Sequence, residues 1–426
     1  MLDIKLLRKD PTAIEIKLKT KDSSVNLAPL LALDEKIRHL TLEAEQIQAK
    51  RNALSKEIGE RKRTGTDATE LLQDVAGLGS QVSQLNHERT ELEKELTHGL
   101  GCLPNIPAEG IKVSPDPKEN VCIKTWGEKK EFDFAFKNHV ELNEKLGLFD
   151  FKRAAKTSGS GWPAYCGLGA RLEWALINFM IDIHIENGFE FWLPPHLIRP
   201  ETMFASAQLP KFESQLFKLK DDDYPLYLIP TSETVLNGLH IDEIFSAEEL
   251  PKRYAAYTPC FRREAGAAGS QERGLIRMHQ FNKVEMFAFT LPEQSEAMFQ
   301  QMIQSAEEIL QGLNLHYRNM LLVTGDMSFA AQKTVDIEVW LPGQNRYYEV
   351  SSISDCGDFQ ARRSLTRYRR KEDKPELVHT LNGSGLATSR LMVALLENNQ
   401  RPDGSIEIPL VLHKYLNGVK ELCPPS

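Results

Sequence analysis

The chain has 426 residues, 41% hydrophobic and 26% charged, which is enough for two domains and at least one large core. No apolar run approaches the roughly 18 residues of a membrane span, and the charged N-terminus shows no signal-peptide pattern. We therefore expect a cytoplasmic protein that contacts no membrane. The six cysteines include no Cys-x-x-Cys pair, so neither zinc nor a disulfide framework is expected. The net charge of −8 argues weakly against nucleic-acid binding, although a local basic surface can outweigh it.

A heptad repeat dominates residues 30–96. Stripes with alternating spacings of three and four, apolar except for Arg51 and Arg89, run along Leu30, Leu33, Ile37, Leu40, Ala44, Ile47, Arg51, Leu54 and Ile58, and again along Leu71, Val75, Leu78, Val82, Leu85, Arg89, Leu92 and Leu96. Gly65 separates the two stripes, and a bend there places Ile58 opposite Leu71. This pattern predicts an arm of two long antiparallel helices in a coiled coil.

The bend of this arm is rich in basic residues, namely Lys50, Arg51, Lys56, Arg61, Lys62 and Arg63. One interpretation is a helix end that is simply solvated. The other is a surface that contacts phosphates, which would explain local basicity on an acidic chain.

The proline-containing segment 101–120 has no periodicity and indicates a linker, so we divide the chain into an N-terminal domain, 1–110, and a second domain, 121–426. The second domain mixes the two kinds of element. Helical spacing is found at 168–187, 292–312 and 384–399, and strand-like alternation at 283–290, 334–341 and 346–352. This order predicts an α+β fold with an antiparallel sheet. No Walker loop and no GxGxxG after a strand is present, which disfavours a Rossmann or P-loop site.

Two strand-like segments carry polar residues that suggest a ligand site. Arg262, Arg263 and Glu264 follow an apolar strand and precede a glycine-rich loop, and arginines there can reach a polyanion. In YYEVSS, 347–352, a carboxylate and a hydroxyl at nearby positions can hold Mg²⁺ together with phosphate oxygens. The alternatives are solvated arginines and a polar strand edge.

Two further segments lie next to predicted helices. In NGSGLATSR, 382–390, Arg390 opens an apolar helix and needs an anion or an aromatic face, while Asn382 and Ser384 precede it in a glycine turn. In PTSET, 230–234, Thr231, Ser232 and Glu233 could bind a small polar ligand. In both segments, ordinary N-capping of a helix is the alternative interpretation.

Together these segments resemble class II aminoacyl-tRNA synthetases of the bacterial seryl family. GFEFWLPPHL (188–197) resembles the family's first motif, residues 261–285 the second, and GLATSR (385–390) the third. The strings RGLIRMHQFNKVE, DIEVWLPGQNRYYEVSS and HTLNGSG, together with the N-terminal arm, are similar to the seryl enzymes in particular. Arg263, Met278 and Ser389 depart from the family's usual residues, but none of these changes removes a charged ligand.

The resemblance implies a ligase that activates L-serine with ATP and Mg²⁺ and transfers it to serine tRNA, and to selenocysteine tRNA where one exists. It implies catalytic roles for Arg262 and Arg390, and Mg²⁺ bound by Glu349 and Ser352. The implied serine-binding residues are Thr231, Ser232, Glu233, Arg262, Glu285, Asn382 and Ser384. The implied ATP-binding residues are Arg262, Arg263, Glu264, Met278, Phe281, Glu349, Val350, Ser351, Ser352 and Arg390, with Phe281 and Arg390 on the two faces of adenine.

The resemblance also assigns tRNA binding to the six basic residues of the arm and implies a homodimer. The sequence also has alternative interpretations. Another class II ligase, for threonine, proline or glycine, is disfavoured by the arm and by HTLNGSG. A catalytically inactive RNA-binding regulator is disfavoured by the intact set of charged candidates, namely Arg262, Glu285, Glu349 and Arg390.

Overall fold

The computed structural model describes residues 1–221, 223–264 and 274–424. The chain divides into two compact units, Leu2–Leu103 and Pro104–Ser426, and Met1 groups with the second. In the described ranges, no helix is both long and apolar enough to cross a membrane. The functions assigned to 1–110 and 121–426 remain predictions.

The N-terminal unit is helical. Its helices are α1 (Ile4–Lys9), α2 (Pro11–Lys19), α3 (Ala28–Arg63) and α4 (Thr69–Gly101). The carboxylates of Asp3 and Asp10 cap the two short helices, accepting backbone N–H groups of Lys5 and Ala13. The long helices have 36 and 33 residues, which confirms the predicted helical arm.

The two long helices pack against each other in the antiparallel sense. A Cβ atom added to Gly99 would lie 2.3 Å from a methyl of Leu30, and one added to Gly79 would lie 3.8 Å from the Arg51 guanidinium. Both neighbouring pairs agree with the register predicted from the heptads to within one residue. The missing side chain of Gly99 lets α4 approach α3 closely at this end of the arm.

The second unit contains the strands. They are β1 (Val121–Trp126), β2 (Glu190–Trp192), β3 (Leu197–Ile198), β4 (Tyr227–Leu228), β5 (Ile244–Ser246), β6 (Lys252–Phe261), β7 (Gln280–Thr290), β8 (Tyr317–Leu321), β9 (Lys333–Leu341), β10 (Arg346–Asp355), β11 (Arg367–Arg369), β12 (Glu376–Leu377), β13 (His379–Ala387), β14 (Ile406–Glu407) and β15 (Glu421–Leu422). The described residues form one large sheet in the order β1-β8-β9-β10-β13-β7-β6-β2. Neighbours in it are antiparallel except β2 and β6, which confirms the predicted fold class.

Three long helices cover one face of this sheet, and a shorter helix packs on β6 and β7 from the other face. Those of the second unit are α5 (His139–Leu146), α6 (Phe151–Ser158), α7 (Gly167–Glu186), α8 (Pro200–Ala205), α9 (Ser232–Gly238), α10 (Ser295–Gly312), α11 (Ala361–Ser364) and α12 (Thr388–Asn398). The long helices α7, α10 and α12 pack on the strands and share one apolar core with them, and α9 is the helix on the other face. Val284, Met286 and Ala288 of β7 enter this core, so the side chains between them face the other side of the sheet.

One predicted element is wrong in part. Residues 384–387 belong to strand β13, and helix α12 begins only at Thr388, so Ser384 neither caps a helix nor lies in a glycine turn. The glycines of this segment allow close packing. A Cβ on Gly383 would meet Ile353 at 2.7 Å, and one on Gly385 would meet the His184 ring at 2.1 Å.

Candidate active site

Strand β7 supplies polar side chains to the face of the sheet opposite the core helices. Lys283 and Glu285 alternate with Val284 and Met286, so the first pair faces a cavity while the second enters the core. Neighbouring β13 runs antiparallel to it and places Ser384 directly opposite Glu285. The sheet therefore presents acidic, basic and hydroxyl groups side by side.

The larger cavity at this face has a volume of about 410 Å³. Six of the seven predicted serine-binding residues line it, namely Thr231, Glu233, Arg262, Glu285, Asn382 and Ser384. The seventh, Ser232, is fully buried and lies 2.7 Å from the Thr258 hydroxyl, so it supports helix α9 and does not face the cavity. Thr231 is both the N-cap of α9 and a lining residue, so the capping interpretation and a ligand role are compatible.

A second cavity of about 220 Å³ adjoins the first. Predicted ATP-binding residues line it, namely Arg262, Glu264, Met278, Phe281, Glu349, Val350 and Arg390. Five residues border both cavities, namely Arg262, Glu264, Lys283, Glu349 and Ser384. The two cavities thus share a wall of charged and hydroxyl side chains, where two bound molecules could react.

A buried charge cluster forms the inner end of the larger cavity. The Lys283 ammonium contacts the Glu285 carboxylate and donates a 2.8 Å hydrogen bond to the Thr231 hydroxyl. The amide of Gln360 donates a 2.6 Å hydrogen bond to the Glu233 carboxylate. Burial, followed by the negative charge of Glu285, raises the pKa of Glu233 to about 7.

Strand β10 is an interior strand, so its polar residues do not form a sheet edge. A β-bulge between Glu349 and Ser351 shifts its register against β9. Residues three apart on a regular strand point to opposite faces, but the extra residue lets Glu349 and Ser352 line the same cavity. Asp336 of β9 lies opposite Ser352 and hydrogen-bonds to its hydroxyl.

This pair of strands presents oxygen donors suited to Mg²⁺. One oxygen of Asp336, Oδ1, is buried without a hydrogen-bond partner beside Glu349 and Ser352. Burial and the charge of Glu349 raise the pKa of Asp336. Among the described residues, no three His, Cys, Asp or Glu side chains could hold a metal by themselves.

The charged residues of the smaller cavity are held by neighbouring groups. Arg390 donates a 2.7 Å hydrogen bond to the Glu349 backbone carbonyl, and its guanidinium lies 3.5 Å from the Glu349 carboxylate. The Arg262 guanidinium lies over the ring of Phe281, 5.2 Å from its centroid. Glu264 accepts a 2.6 Å hydrogen bond from Arg277. The Phe281 ring and the guanidinium groups of Arg262 and Arg390 thus lie together in this cavity, where they could bind an anionic ligand.

Two predicted ATP-binding residues do not line either cavity. Arg263 is exposed, and Ser351 is buried and donates a 2.5 Å hydrogen bond to the Ser384 carbonyl. Most of the predicted glycine-rich loop, 265–273, lies outside the described residues. In the arm, Arg61 pairs with Glu57 at 2.7 Å and Arg51 is half-buried, while Lys50, Lys56, Lys62 and Arg63 are exposed.

Sequence reasoning did not select three residues that shape the cavities. Lys283 alternates with the selected residues Phe281 and Glu285 on β7, so strand periodicity could have identified it. Asp336 lies on β9, a strand on which no residue was selected. Gln360 reaches Glu233 from a distant segment, and nothing in its local sequence indicates this. The segment Ser328–Ala330 also borders the larger cavity without a local signal.

Known families match both parts of the chain. Residues 1–107 match the family described as the seryl-tRNA synthetase N-terminal domain, and residues 217–399 match the tRNA synthetase class II core domain (G, H, P, S and T). A serine–tRNA ligase of Chlamydia pneumoniae is 52% identical over 424 residues, covering 100% of this chain and 99% of the relative. The serine–tRNA ligase of Chlamydia abortus is 53% identical over 424 residues, with 100% of each chain covered.

Solved structures give the same result. A seryl-tRNA synthetase from Pyrococcus horikoshii complexed with ATP superposes with a TM-score of 0.92 at 38% identity, covering 100% of both chains. A cytoplasmic serine–tRNA ligase from Naegleria fowleri in complex with AMP superposes with a TM-score of 0.87 at 28% identity, covering 100% of this chain and 99% of the other.

The raised pKa of Glu233 predicts how stability depends on pH. Between pH about 4.5 and pH about 7 the folded state keeps a proton that the unfolded state releases, so wild-type stability should fall as pH rises through this window. Glu233→Gln removes this loss. The unfolding free energy of this variant minus that of the wild type, measured by urea denaturation, should increase by up to about 3 kcal/mol between pH 5 and pH 8. A difference between the two proteins that stays constant with pH would contradict the raised pKa.

Proposed function

The chain belongs to the seryl-tRNA synthetase family and is a serine–tRNA ligase, and from this premise we propose that it works in two steps. Serine first reacts with ATP to give seryl-adenylate and pyrophosphate. The terminal ribose of the tRNA then takes the seryl group and releases AMP. The observation that carries this proposal is the pair of adjoining cavities. One is lined by polar and charged side chains that suit a small amino acid, and the other by an aromatic ring and arginines.

We assign the larger cavity to serine. Its inner end holds both signs of charge, with the Glu233 and Glu285 carboxylates near Lys283, so it suits a zwitterion. The serine ammonium finds carboxylates there, and its hydroxyl finds hydrogen-bonding groups. Alanine would leave such buried groups unpaired, which is the way a polar site rejects an analogue that lacks the hydroxyl.

We assign the smaller cavity to the nucleotide. Phe281 offers a ring face and Arg390 a planar guanidinium, and both line this cavity. Guanidinium groups stack on aromatic rings and also bind phosphates, so the two can hold adenine between them. The Glu264 carboxylate can accept a hydrogen bond from the adenine amino group in place of Arg277.

The first step requires stabilisation of charge and no general base. The serine carboxylate is already ionised at neutral pH, and the difficulty is to bring it to an anionic phosphate. Arg262 borders both cavities, so it can bind the α-phosphate where the two substrates meet. Glu349 and Ser352 would hold Mg²⁺, which when bound supplies positive charge to the phosphates.

We propose that the arm binds the tRNA. Its exposed basic residues near Gly65 can contact phosphates, which supply most of the affinity in nucleic-acid binding. Recognition of backbone shape would let one enzyme serve serine tRNAs with different anticodons, and selenocysteine tRNA where one exists.

We further propose a homodimer. The segment 188–197, which resembles the family's first motif, directly follows helix α7, and together they expose large apolar side chains. Trp174 is 54% exposed, Ile185 is 48% exposed and Leu193 is 73% exposed. Trp174 and Ile185 are eleven residues apart, which is close to three full helical turns, so they share one face of α7. A second copy of the chain would cover this apolar surface.

The Glu285→Gln variant should activate serine poorly while its affinity for ATP changes little. A charge-assisted hydrogen bond is worth about 1.5–3 kcal/mol, so pyrophosphate exchange at low serine should fall about 10- to 150-fold. Glu307→Gln is the matched control, because Glu307 is also a buried glutamate paired with a lysine, Lys124, but lines neither cavity. Equal activation of serine by Glu285→Gln and the wild type would show that Glu285 does not bind serine.

The Arg390→Lys variant should lose adenylation by roughly tenfold or more while remaining folded, because lysine keeps the charge but not the planar face. Arg318→Lys serves as the control. Like Arg390, Arg318 forms an ion pair with a glutamate, Glu338, and its guanidinium lies over the ring of Tyr347, but it borders neither cavity. Normal pyrophosphate exchange by Arg390→Lys would show that the guanidinium does not hold the nucleotide.

Replacing exposed basic residues of the arm should affect only the transfer of the seryl group to tRNA. The triple variant Lys56→Ala, Lys62→Ala, Arg63→Ala should raise the KM for tRNA and reduce the slope of log affinity against log salt by about 2 to 3, with pyrophosphate exchange unchanged. A matched triple variant removes equally exposed lysines from α1 and α2, namely Lys5, Lys9 and Lys17. Identical tRNA kinetics in the two triple variants would show that the basic residues of the arm are only solvated and do not bind tRNA.

A further inference from the structure

The segment that begins at Asn138 has no role in the function proposed so far, yet it contains a fully buried histidine. His139 and Glu397 are both 0% exposed, and the Nδ1 atom of His139 lies 2.9 Å from the Glu397 carboxylate. The backbone N–H of Leu275 donates a 3.2 Å hydrogen bond to Nε2 of the same ring. Because Nε2 accepts this bond, Nδ1 carries the ring proton and donates it to Glu397.

This pair joins segments that are far apart in the sequence. The Glu397 carboxylate also accepts the backbone N–H groups of His139, at 3.0 Å, and of Gly343, at 2.9 Å. Gly343 lies in the turn between β9 and β10, and Glu397 lies near the end of α12. Gly274, with a φ of +71°, lies against the imidazole, where a Cβ atom would be 2.1 Å from Nε2.

The connected segments supply most of the nucleotide cavity. Ile276, Arg277 and Met278 follow Leu275 directly and line it. Strand β10 contributes Glu349 and Val350, and the first turn of α12 contributes Ser389 and Arg390. One buried hydrogen-bonded pair therefore fixes three of the chain segments around this cavity, although neither His139 nor Glu397 lines it.

We propose that His139 is a positioning residue for ATP: through Glu397 and the Leu275 N–H, it sets the spacing between residues 276–278, β10 and α12. This inference rests on the assignment of the smaller cavity to the nucleotide. The neutral imidazole suits the task because it donates on one side and accepts on the other. Leucine can fill the same space with neither bond, while glutamine can replace only part of the bonding.

The test compares substrates in one enzyme. In the full-length protein, H139L should raise the KM for ATP in pyrophosphate exchange by about tenfold or more, while the KM for serine changes less than about twofold. H139Q should fall between H139L and the wild type. The control F299L truncates a fully buried core side chain of α10 that borders neither cavity. Even if F299L lowers the Tm as much as H139L does, it should leave the KM values for ATP and serine unchanged.

Equal changes in both KM values, or a change in neither, would show that His139 is only structural. If H139L does not fold, E397Q decides between the same outcomes, because its amide fills the site but accepts fewer hydrogen bonds. A parallel F281A variant separates this inference from the proposed function. If F281A raises the KM for ATP and H139L does not, the inference fails alone. If neither variant raises it, the nucleotide assignment of the cavity fails as well.

Discussion

The ion pair between Lys283 and Glu285 is the interaction on which the larger cavity depends. Two carboxylates, those of Glu233 and Glu285, lie in a region where water is largely excluded, and Lys283 is itself only 5% exposed. Removal of one partner from such a pair leaves an uncompensated buried charge, which is strongly destabilising. The lysine therefore allows an acidic pocket to exist inside the fold, and its bond to Thr231 ties the strand to the start of helix α9.

Next to the cavities, one face of a strand packs in the apolar core and the other face supplies polar side chains. On β7 the residues that enter the core and those that face the cavities alternate, so a single strand serves both purposes. On β10 a bulge alters this alternation once and turns Glu349 to the side of Ser352. Bulges of this kind commonly occur where a side chain must be redirected towards a ligand.

The sequence predicted an element correctly wherever its apolar residues followed a single helical or strand period. The heptads predicted both arm helices and their register, and period-two alternation predicted β7, β9 and β10. The glycine turn predicted at Ser384 is wrong, because the glycines of this segment lie in a strand and make room for Ile353 and His184. Contacts such as Gln360 with Glu233 and His139 with Glu397 join residues 127 and 258 positions apart, and no local pattern encodes them. The candidate site was found mainly through motif resemblance, which the geometry supplements with partners and distances.

Because α3 pairs with α4 in the same way along its length, the arm can change in length, whereas the strands of the sheet cannot. Each heptad repeats the same contact between the two helices, so insertion of seven residues into both would add about 10 Å of length and restore the original pairing. A one-residue insertion in a strand of the central sheet would instead turn every following side chain to the wrong face. The length of this arm can thus change in steps of one heptad, while the strands tolerate almost no change in length.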